Sequence, residues 1–284
     1  MQPSLRTLLV LGRVSNLPTV WSNCLAGWWL GGAGHSERLP FLFIGATCLY
    51  IGGMFLNDAM DVEFDRVHRK ERPIPSGAIS LDAVWRWGLT WLALGGGCLI
   101  WLGTVTGGLG VLLLLSIVLY DTIHKRITLG PVLMGICRFL LYLIAASAAT
   151  NGVTGRSIWC GLALAAYIIG LSFFAKEEST HGPLRYWPAF LMAAPIMVAL
   201  IMDNGDSRQA GLLLSAVLGL WSIRALRQTL WSAEPKIGLT VSWLLAGIVF
   251  VDWLAVADAP RPLSAVFIAL FLAALILQRI VPAT

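Results

Sequence analysis

The sequence predicts an all-α polytopic membrane protein with nine or ten transmembrane helices. Of its 284 residues, 57% are hydrophobic and only 12% are charged, with 13 Trp, a composition more apolar than a soluble core of this size requires. The apolar residues also collect into runs close to the roughly 20 residues that a helix needs to cross the hydrocarbon layer. The chain is therefore expected to be an integral, multi-pass membrane protein.

The expected spans follow one another with short polar connections. They lie near residues 14–33, 39–56, 84–105, 107–121, 130–150, 157–175, 186–202, 209–231, 237–257 and 262–280. The run 107–121 is short and the run 262–280 lies at the end, so the expected count is nine or ten. Because no Pro/Gly/Ser-rich linker or charge block divides the chain, residues 1–284 are expected to form one membrane domain.

Basic residues are distributed unequally between the two sides of this topology. With a cytoplasmic N-terminus, the positive-inside rule is satisfied, since one side carries Arg66, Arg69, Lys70, Arg72, Lys125, Arg126, Lys176, Arg185, Arg224, Arg227, Lys236 and Arg279, and the other Arg38, Arg156, Arg208 and Arg261. The net charge of +5 follows from this bias and suits contact with anionic membrane lipid. No nucleic-acid partner is expected, because the basic residues lie in short loops between helices.

An acidic motif at the end of the second run is the strongest functional signal. Asn57, Asp61 and Asp65 recur every four positions, a spacing that places three oxygen ligands on one helix face. Hard cations such as Mg²⁺ prefer carboxylate and carbonyl oxygens, keep several waters and bridge to substrate phosphates. The motif therefore predicts a metal–diphosphate site.

Basic residues and a turn follow the acids directly. Arg66, Arg69 and Arg72 can bind phosphate, and Pro73-Ile74-Pro75-Ser76-Gly77 predicts a turn. The alternative is a solvated loop whose opposite charges pair with one another. The four-residue spacing at the end of a membrane helix, followed by three arginines, favours the site.

The string from Asn57-Asp58 through Asp61 and Asp65-Arg66 to Arg72-Pro73-Ile74-Pro75-Ser76-Gly77 resembles the first aspartate-rich motif of the UbiA superfamily of intramembrane prenyltransferases. Segments 13–23 and 120–126 are similar to family segments that face the cavity. Pro131 to Arg138 and Asp252 are most similar to the divergent EboC-like branch.

This resemblance implies a UbiA-like helix bundle around a central cavity, in which Mg²⁺ binds an isoprenyl diphosphate and the ionised allyl group alkylates a small acceptor, usually aromatic. It implies Asp61, Asp65 and Lys125 as catalytic residues. The metal ligands would include Asn57, Asp58, Asp61 and Asp65, and the diphosphate would contact Arg13, Arg72, Lys125 and Arg126.

The chain departs from the family after the sixth span, where a second aspartate motif is usual. It has Lys176-Glu177-Glu178 there instead. Glu177 and Glu178 are expected to reach a second metal, while Lys176 would bind phosphate or partly neutralise the site. The alternative is a solvated turn, so one-metal and two-metal sites both stay open.

Polar residues inside the predicted spans form a further set of candidates. Arg138 lies about two turns into the fifth span, where an ionisable side chain usually faces the bundle interior, although it can also snorkel to the surface. Asn16 and Asn23 either bind the acceptor or bond a neighbouring helix. The role of Asp252 stays open.

The expected function is therefore a Mg²⁺-dependent prenyltransferase acting on an isoprenyl diphosphate and a small acceptor. Two alternatives remain. A UbiA-type terpene cyclase would ionise the same diphosphate but trap the cation with the substrate's own double bond. A non-catalytic lipid carrier with the same fold would not need the metal.

Overall fold

A computed structural model describes residues 3–125, 127–180, 186–205, 207–232 and 236–282, and for residues 177–180 it describes the backbone alone. The described residues form a bundle of α-helices, with short 3₁₀ turns before α2 and α3. Its helices are α1 (Leu5–Leu11), α2 (Leu17–Leu30), α3 (Leu39–Met60), α4 (Val62–His68), α5 (Leu81–Leu102), α6 (Thr104–Ile123), α7 (Gly130–Ser147), α8 (Gly155–Thr180), α9 (Trp187–Met192), α10 (Ala194–Met202), α11 (Ser207–Leu230), α12 (Ile237–Ala255) and α13 (Arg261–Ile280).

The all-helical polytopic fold expected from the sequence is confirmed. Within the described residues, seven helices are long and apolar enough to cross a membrane. The short run 107–121 belongs to α6, a helix of 20 residues. The count of nine or ten spans stays a prediction, because α2 has only 14 residues and the run 186–202 is divided between α9 and α10.

Proline marks where several of these helices begin. Pro18, Pro40, Pro131 and Pro262 lie in the first turn of α2, α3, α7 and α13, where a missing backbone N–H leaves no intrahelical bond unmade. Pro195 likewise lies at the start of α10, directly after the break that separates α9 from α10. Proline cannot continue a helix from the preceding turn without losing a hydrogen bond.

The helix α2 occupies the middle of the bundle. Its residues Ala26 and Leu30 belong to one buried apolar cluster, built mainly with α8, α11 and α12, and Val20 and Cys24 belong to another, built mainly with α3, α5, α6 and α7. Gly27 permits the close contact with α7, because a Cβ there would lie 2.6 Å from the Tyr142 carbonyl oxygen. This contact packs α2 directly against α7.

Candidate functional site

The acidic motif lies where α3 ends and α4 begins. Asp61 is the connecting residue, and the i to i−4 hydrogen bonds continue through it: the Asp61 N–H donates to Asn57 O and the Asp65 N–H to Asp61 O, both at 2.9 Å. This continuity keeps Asn57, Asp61 and Asp65 on the same side of the chain, as their spacing predicted. All three are at most 9% exposed.

Two arginines hold Asp58 from different segments. Arg72 Nη1 donates to Asp58 Oδ1 at 2.7 Å, and Arg13 Nη2 donates to the same oxygen at 3.3 Å. Arg13 also donates to Asn57 Oδ1 at 3.4 Å. The segment before α2 and the turn after α4 therefore both place a guanidinium group over the end of α3.

Asp61 faces the end of α6. Its Oδ1 lies 2.7 Å from Lys125 Nζ, which also lies 3.9 Å from the centre of the Phe64 ring. Its Oδ2 lies 3.7 Å from His124 Nε2. Burial lowers the pKa of the His124 imidazole, although the Asp61 carboxylate acts in the opposite direction.

Asp65 is the most buried member of the motif, with 2% of its surface exposed. Its Oδ2 lies 3.5 Å from Arg72 Nη1, and its Oδ1 has no hydrogen-bond partner among the described residues. Burial raises the pKa of the Asp65 carboxyl, and the cations Arg72 and Lys125 oppose this shift. Such an oxygen favours a cation or a donor as an additional partner.

A further carboxylate, Asp121, belongs to the same cluster; segment 120–126 was predicted to face the cavity, but Asp121 was not predicted as a site residue. It lies in the last turn of α6, where its Oδ1 accepts a hydrogen bond from Asn57 Nδ2 at 3.2 Å. Its Oδ2 is buried and has no partner among the described residues. The sequence signal was an ionisable residue at the end of an apolar run.

The donor set suits Mg²⁺ bound together with a substrate phosphate. Among the described residues, no three His, Cys, Asp or Glu side chains converge closely enough to hold a metal by themselves. Mg²⁺ needs only one or two carboxylates, since waters and phosphate oxygens complete its octahedral shell. The buried oxygens of Asp65 and Asp121 that lack partners fit this requirement.

A second polar network lies deeper in the bundle, where Arg138 was predicted to face the interior. Arg138 is 9% exposed, and donates to Asn23 Oδ1 at 2.7 Å and to Thr19 Oγ1 at 3.2 Å. Asn23 Nδ2 donates to Asp252 Oδ2 at 2.7 Å, and the Ser22 hydroxyl donates to the same oxygen. The network therefore joins α2, α7 and α12.

Tyr50 lies between the two networks. Its hydroxyl donates to the Arg13 carbonyl oxygen at 3.5 Å, and its ring centre lies 5.9 Å from the Arg138 guanidinium carbon. Asn16, predicted to bind substrate, is buried and lies directly before α2.

Among the remaining predicted residues that the structure describes, Lys176 and Arg66 have partners outside the acidic motif. Lys176 Nζ donates to the Ile127 carbonyl oxygen at 3.2 Å, so it contacts the connection between α6 and α7. Arg66 pairs with Glu63 on the exposed side of α4 at 2.8 Å. Arg126 and the side chains of Glu177 and Glu178 lie outside the described residues.

An apolar cavity of 550 Å³ opens between α2, α3, α5 and α13. Thr47 lies ten residues before Asn57 on α3, roughly 15 Å along the helix axis. The cavity thus lies farther from this end of the bundle than the acidic motif, and it is open to the side, since Ile44 and Val266 in its lining are 51% and 41% exposed. It is lined by Trp21, Leu25, Phe43, Ile44, Thr47, Cys48, Trp91, Val266 and Leu270.

Comparison with protein families decides what kind of bundle this is. The model of the UbiA prenyltransferase family matches residues 16–282. The chain belongs to this family. The match includes the acidic motif, Lys125 and the helices that line the cavity, so the UbiA resemblance of these segments is confirmed at the level of the family.

Curated relatives match this UbiA chain over a shorter segment. The digeranylgeranylglyceryl phosphate synthase of Sulfolobus acidocaldarius is 31% identical over 114 residues, 40% of this chain and 38% of the relative. The enzyme of the same name from Methanothrix thermoacetophila is 38% identical over 96 residues, 33% of this chain and 35% of the relative. The matches thus span less than half the length of these relatives. Their names do not support the EboC-like branch.

Solved structures share the UbiA fold over nearly the whole chain. A UbiA homologue from Aeropyrum pernix K1 has a TM-score of 0.68 and 18% identity, covering 88% of this chain and 98% of the homologue. A homologue from Archaeoglobus fulgidus, bound to GPP and Mg²⁺, has a TM-score of 0.67 and 13% identity, covering 95% and 99%. At these identities the likeness establishes the fold alone.

Proposed function

We propose that this protein is a Mg²⁺-dependent intramembrane prenyltransferase that ionises an isoprenyl diphosphate and transfers the prenyl group to a small acceptor. The observation that supports this most directly is the interleaving of charges at one end of the bundle. Arg13, Arg72 and Lys125 each contact an aspartate of the motif, so acids and bases lie within one hydrogen-bonded cluster.

The two kinds of charge have complementary roles in this proposal. Asn57, Asp58, Asp61 and Asp65 hold the cation, and the basic side chains turn from these acids to the diphosphate when substrate binds. Bound Mg²⁺ would stabilise negative charge on the leaving diphosphate. Guanidinium and ammonium groups placed beforehand stabilise the same charge as the C–O bond breaks. The A. fulgidus homologue with GPP and Mg²⁺ supports a prenyl diphosphate and Mg²⁺ as the ligands of this proposal.

The apolar cavity is the proposed chamber for the isoprenoid tail. It is lined mainly by apolar side chains and lies farther along α3 from the motif, so the tail of a substrate whose diphosphate is bound at Asp61 would extend towards it. Such a chamber also limits the water that would quench an allylic cation.

The acceptor is proposed as a small molecule that enters from the membrane. An aromatic acceptor follows from the UbiA resemblance, whereas the name of the curated relatives favours a glyceryl phosphate lipid. We further propose that the site faces the cytoplasm, because the basic residues concentrate on the side of the motif.

The decisive experiment uses Asp61→Ala in purified protein supplied with an isoprenyl diphosphate and Mg²⁺. Diphosphate release should be abolished while the thermal unfolding midpoint in detergent stays near that of the parent. The matched control is Glu63→Ala, which removes an exposed acid two residues away and should leave release intact. Full turnover by Asp61→Ala at ordinary Mg²⁺ would exclude the site.

The two alternatives give different products. A terpene cyclase should release a hydrocarbon or alcohol, together with diphosphate, when no acceptor is present. A lipid carrier should release no diphosphate, and its Asp61→Ala and Asp65→Ala variants should keep their lipid binding. Acceptor-dependent release of diphosphate supports the transferase over both.

A further inference from the structure

Asp121 lies against the one amide of the acidic motif. Asn57 is in the last turn of α3 and Asp121 in the last turn of α6, and their side chains meet at 3.2 Å between Asn57 Nδ2 and Asp121 Oδ1. Both residues are at most 6% exposed. The contact is therefore a buried hydrogen bond between two helices.

The two ends of the Asn57 amide meet different partners. Its nitrogen donates to Asp121, and its oxygen accepts from Arg13 Nη2 at 3.4 Å. An ionised carboxylate only accepts hydrogen bonds and a guanidinium only donates them. Turning the amide over would place oxygen against the carboxylate and NH₂ against the guanidinium, so both contacts would become repulsive.

We propose that Asp121 is a positioning residue that fixes the Asn57 amide with its oxygen towards the cation site. This inference rests on the proposed function, since it concerns how the motif presents a metal ligand. Only the amide oxygen can bind Mg²⁺, so a freely rotating amide would present the ligand part of the time. Asp121 removes that freedom and adds a negative charge beside the same cation.

The second oxygen of Asp121 supports a role near a cation. Asp121 is 5% exposed, and its Oδ2 has no partner among the described residues. A buried carboxylate oxygen without a donor destabilises the fold. If Asp121 served only for packing, replacing it with an amide or an apolar side chain would leave cation binding unchanged.

The experiment exchanges donor and acceptor between the two positions. In D121N, the Asn57 amide finds a partner at position 121 in either orientation, so only the longer Arg13 contact still favours one of them. In N57D, two carboxylates face each other. In N57D/D121N, the amide at position 121 donates to the carboxylate at position 57. That carboxylate presents an oxygen to the cation in either orientation. D121N should bind Mn²⁺ at least about tenfold more weakly, as is usual when a partner that orients a metal ligand is removed.

The readout is Mn²⁺ affinity by electron paramagnetic resonance in purified protein with inorganic diphosphate and no isoprenyl substrate. The double variant should recover to within about threefold of the parent. D258N, which changes an exposed aspartate outside the acidic cluster, is the control and should bind Mn²⁺ as the parent does. Parental affinity in D121N, or a double variant that binds Mn²⁺ no more tightly than D121N, would overturn the inference.

Folding and function are separated by two further comparisons. Thermal unfolding shows whether each variant is folded; if D121N unfolds while the double variant folds and binds Mn²⁺, the inference is supported. If neither folds, Asp121 is a packing residue and the inference fails. Weak Mn²⁺ binding in Asp61→Ala with unchanged binding in D121N would leave the proposed function standing and exclude only the role of Asp121.

Discussion

Arg13 reaches the acidic motif from a strained backbone position. Its φ of 41° and ψ of 49° lie in the left-handed region, which is unfavourable by roughly 1–2 kcal/mol for a residue with a Cβ. This conformation turns the chain between α1 and α2 and directs the guanidinium to Asn57 and Asp58. Strain at a site of this kind persists only where surrounding contacts compensate for it.

At the residue scale, Arg72 should contribute directly to the affinity for the isoprenyl diphosphate. It contacts both Asp58 and Asp65 and is a proposed diphosphate ligand. Arg72→Ala should weaken isoprenyl diphosphate binding by about 1.5–3 kcal/mol, the range for a hydrogen bond to a charged group. Isothermal titration with substrate and Mg²⁺ measures the change.

The control for Arg72 is Arg66→Ala. Arg66 pairs with Glu63 on the exposed side of α4, with 55% of its side chain exposed, so its removal should leave substrate affinity near that of the parent. Lys125→Ala should resemble Arg72→Ala. Unchanged affinity in both Arg72→Ala and Lys125→Ala would place the diphosphate elsewhere.

The acids near the end of α8 lead to a separate prediction. Glu177 and Glu178 are proposed to replace the usual second aspartate motif, so Glu177→Gln/Glu178→Gln should need much more Mg²⁺ for half-maximal activity. The double substitution keeps side-chain size and removes charge. Glu71→Gln, an exposed acid in the turn after α4, is the control. A Mg²⁺ dependence equal to that of the parent would make the segment a solvated turn.

How much of the site was predictable differs from residue to residue. Asn57, Asp61 and Asp65 were found because spacing within one helix is a local property that sequence displays directly. Asp121 was missed because it joins them only through the packing of α6 against α3. The pairing of Asp58 with both Arg13 and Arg72 likewise joins segments 45 and 14 residues apart, which no periodicity encodes.

At the element scale, the hydrogen-bonded network of Arg138 joins three helices and should contribute to stability. Arg138→Met would remove the charged donor to Asn23 and Thr19, and a hydrogen bond from a charged group typically contributes about 1.5–3 kcal/mol. The thermal unfolding midpoint in detergent should fall clearly. Arg138→Met/Asp252→Asn removes both charges and should therefore be more stable than Arg138→Met alone. Equal losses in the two variants would exclude coupling between these residues.

Close helix packing gives a second prediction at this scale. A Cβ at Gly27 would lie 2.6 Å from the Tyr142 carbonyl oxygen and 2.7 Å from the Ala145 Cβ, so Gly27→Ala must move α2 away from α7. Overpacking of this kind destabilises by about 1–3 kcal/mol. Gly97→Ala makes the same change in α5, where nothing lies within 4 Å, and should be neutral or stabilising by up to about 1 kcal/mol. Thermal unfolding of the two variants separates packing from helix propensity.

Helix boundaries were largely predictable and helix breaks were not. Runs of apolar residues identified α3, α7 and α12, since membrane-spanning length is visible in composition. The division of the run 186–202 was missed, although Pro195 was its signal. The boundary between α3 and α4 at Asp61 left no mark in the hydropathy pattern.

At the scale of the whole molecule, the candidate site gathers segments that are distant in the chain at one end of the bundle. Arg13 precedes α2, the acidic motif ends α3, and Lys125 follows α6. The deeper network of Arg138 and Asp252 lies behind this end, and Tyr50 contacts both. The orientation of the bundle in the membrane therefore decides which compartment supplies the diphosphate substrate.

The predicted orientation places the acidic motif on the cytoplasmic side, because the basic residues concentrate there. Single cysteines at two exposed serines test it: Ser76 in the turn after the motif, and Ser36 in the connection between α2 and α3. The five native cysteines lie within helices and would be replaced by alanine. In intact cells a membrane-impermeant maleimide should label Ser36→Cys, whereas Ser76→Cys should be labelled only after permeabilisation. The reverse pattern would invert the topology and move the proposed site to the opposite face, and labelling of both without permeabilisation would show that the two serines lie on the same outer side.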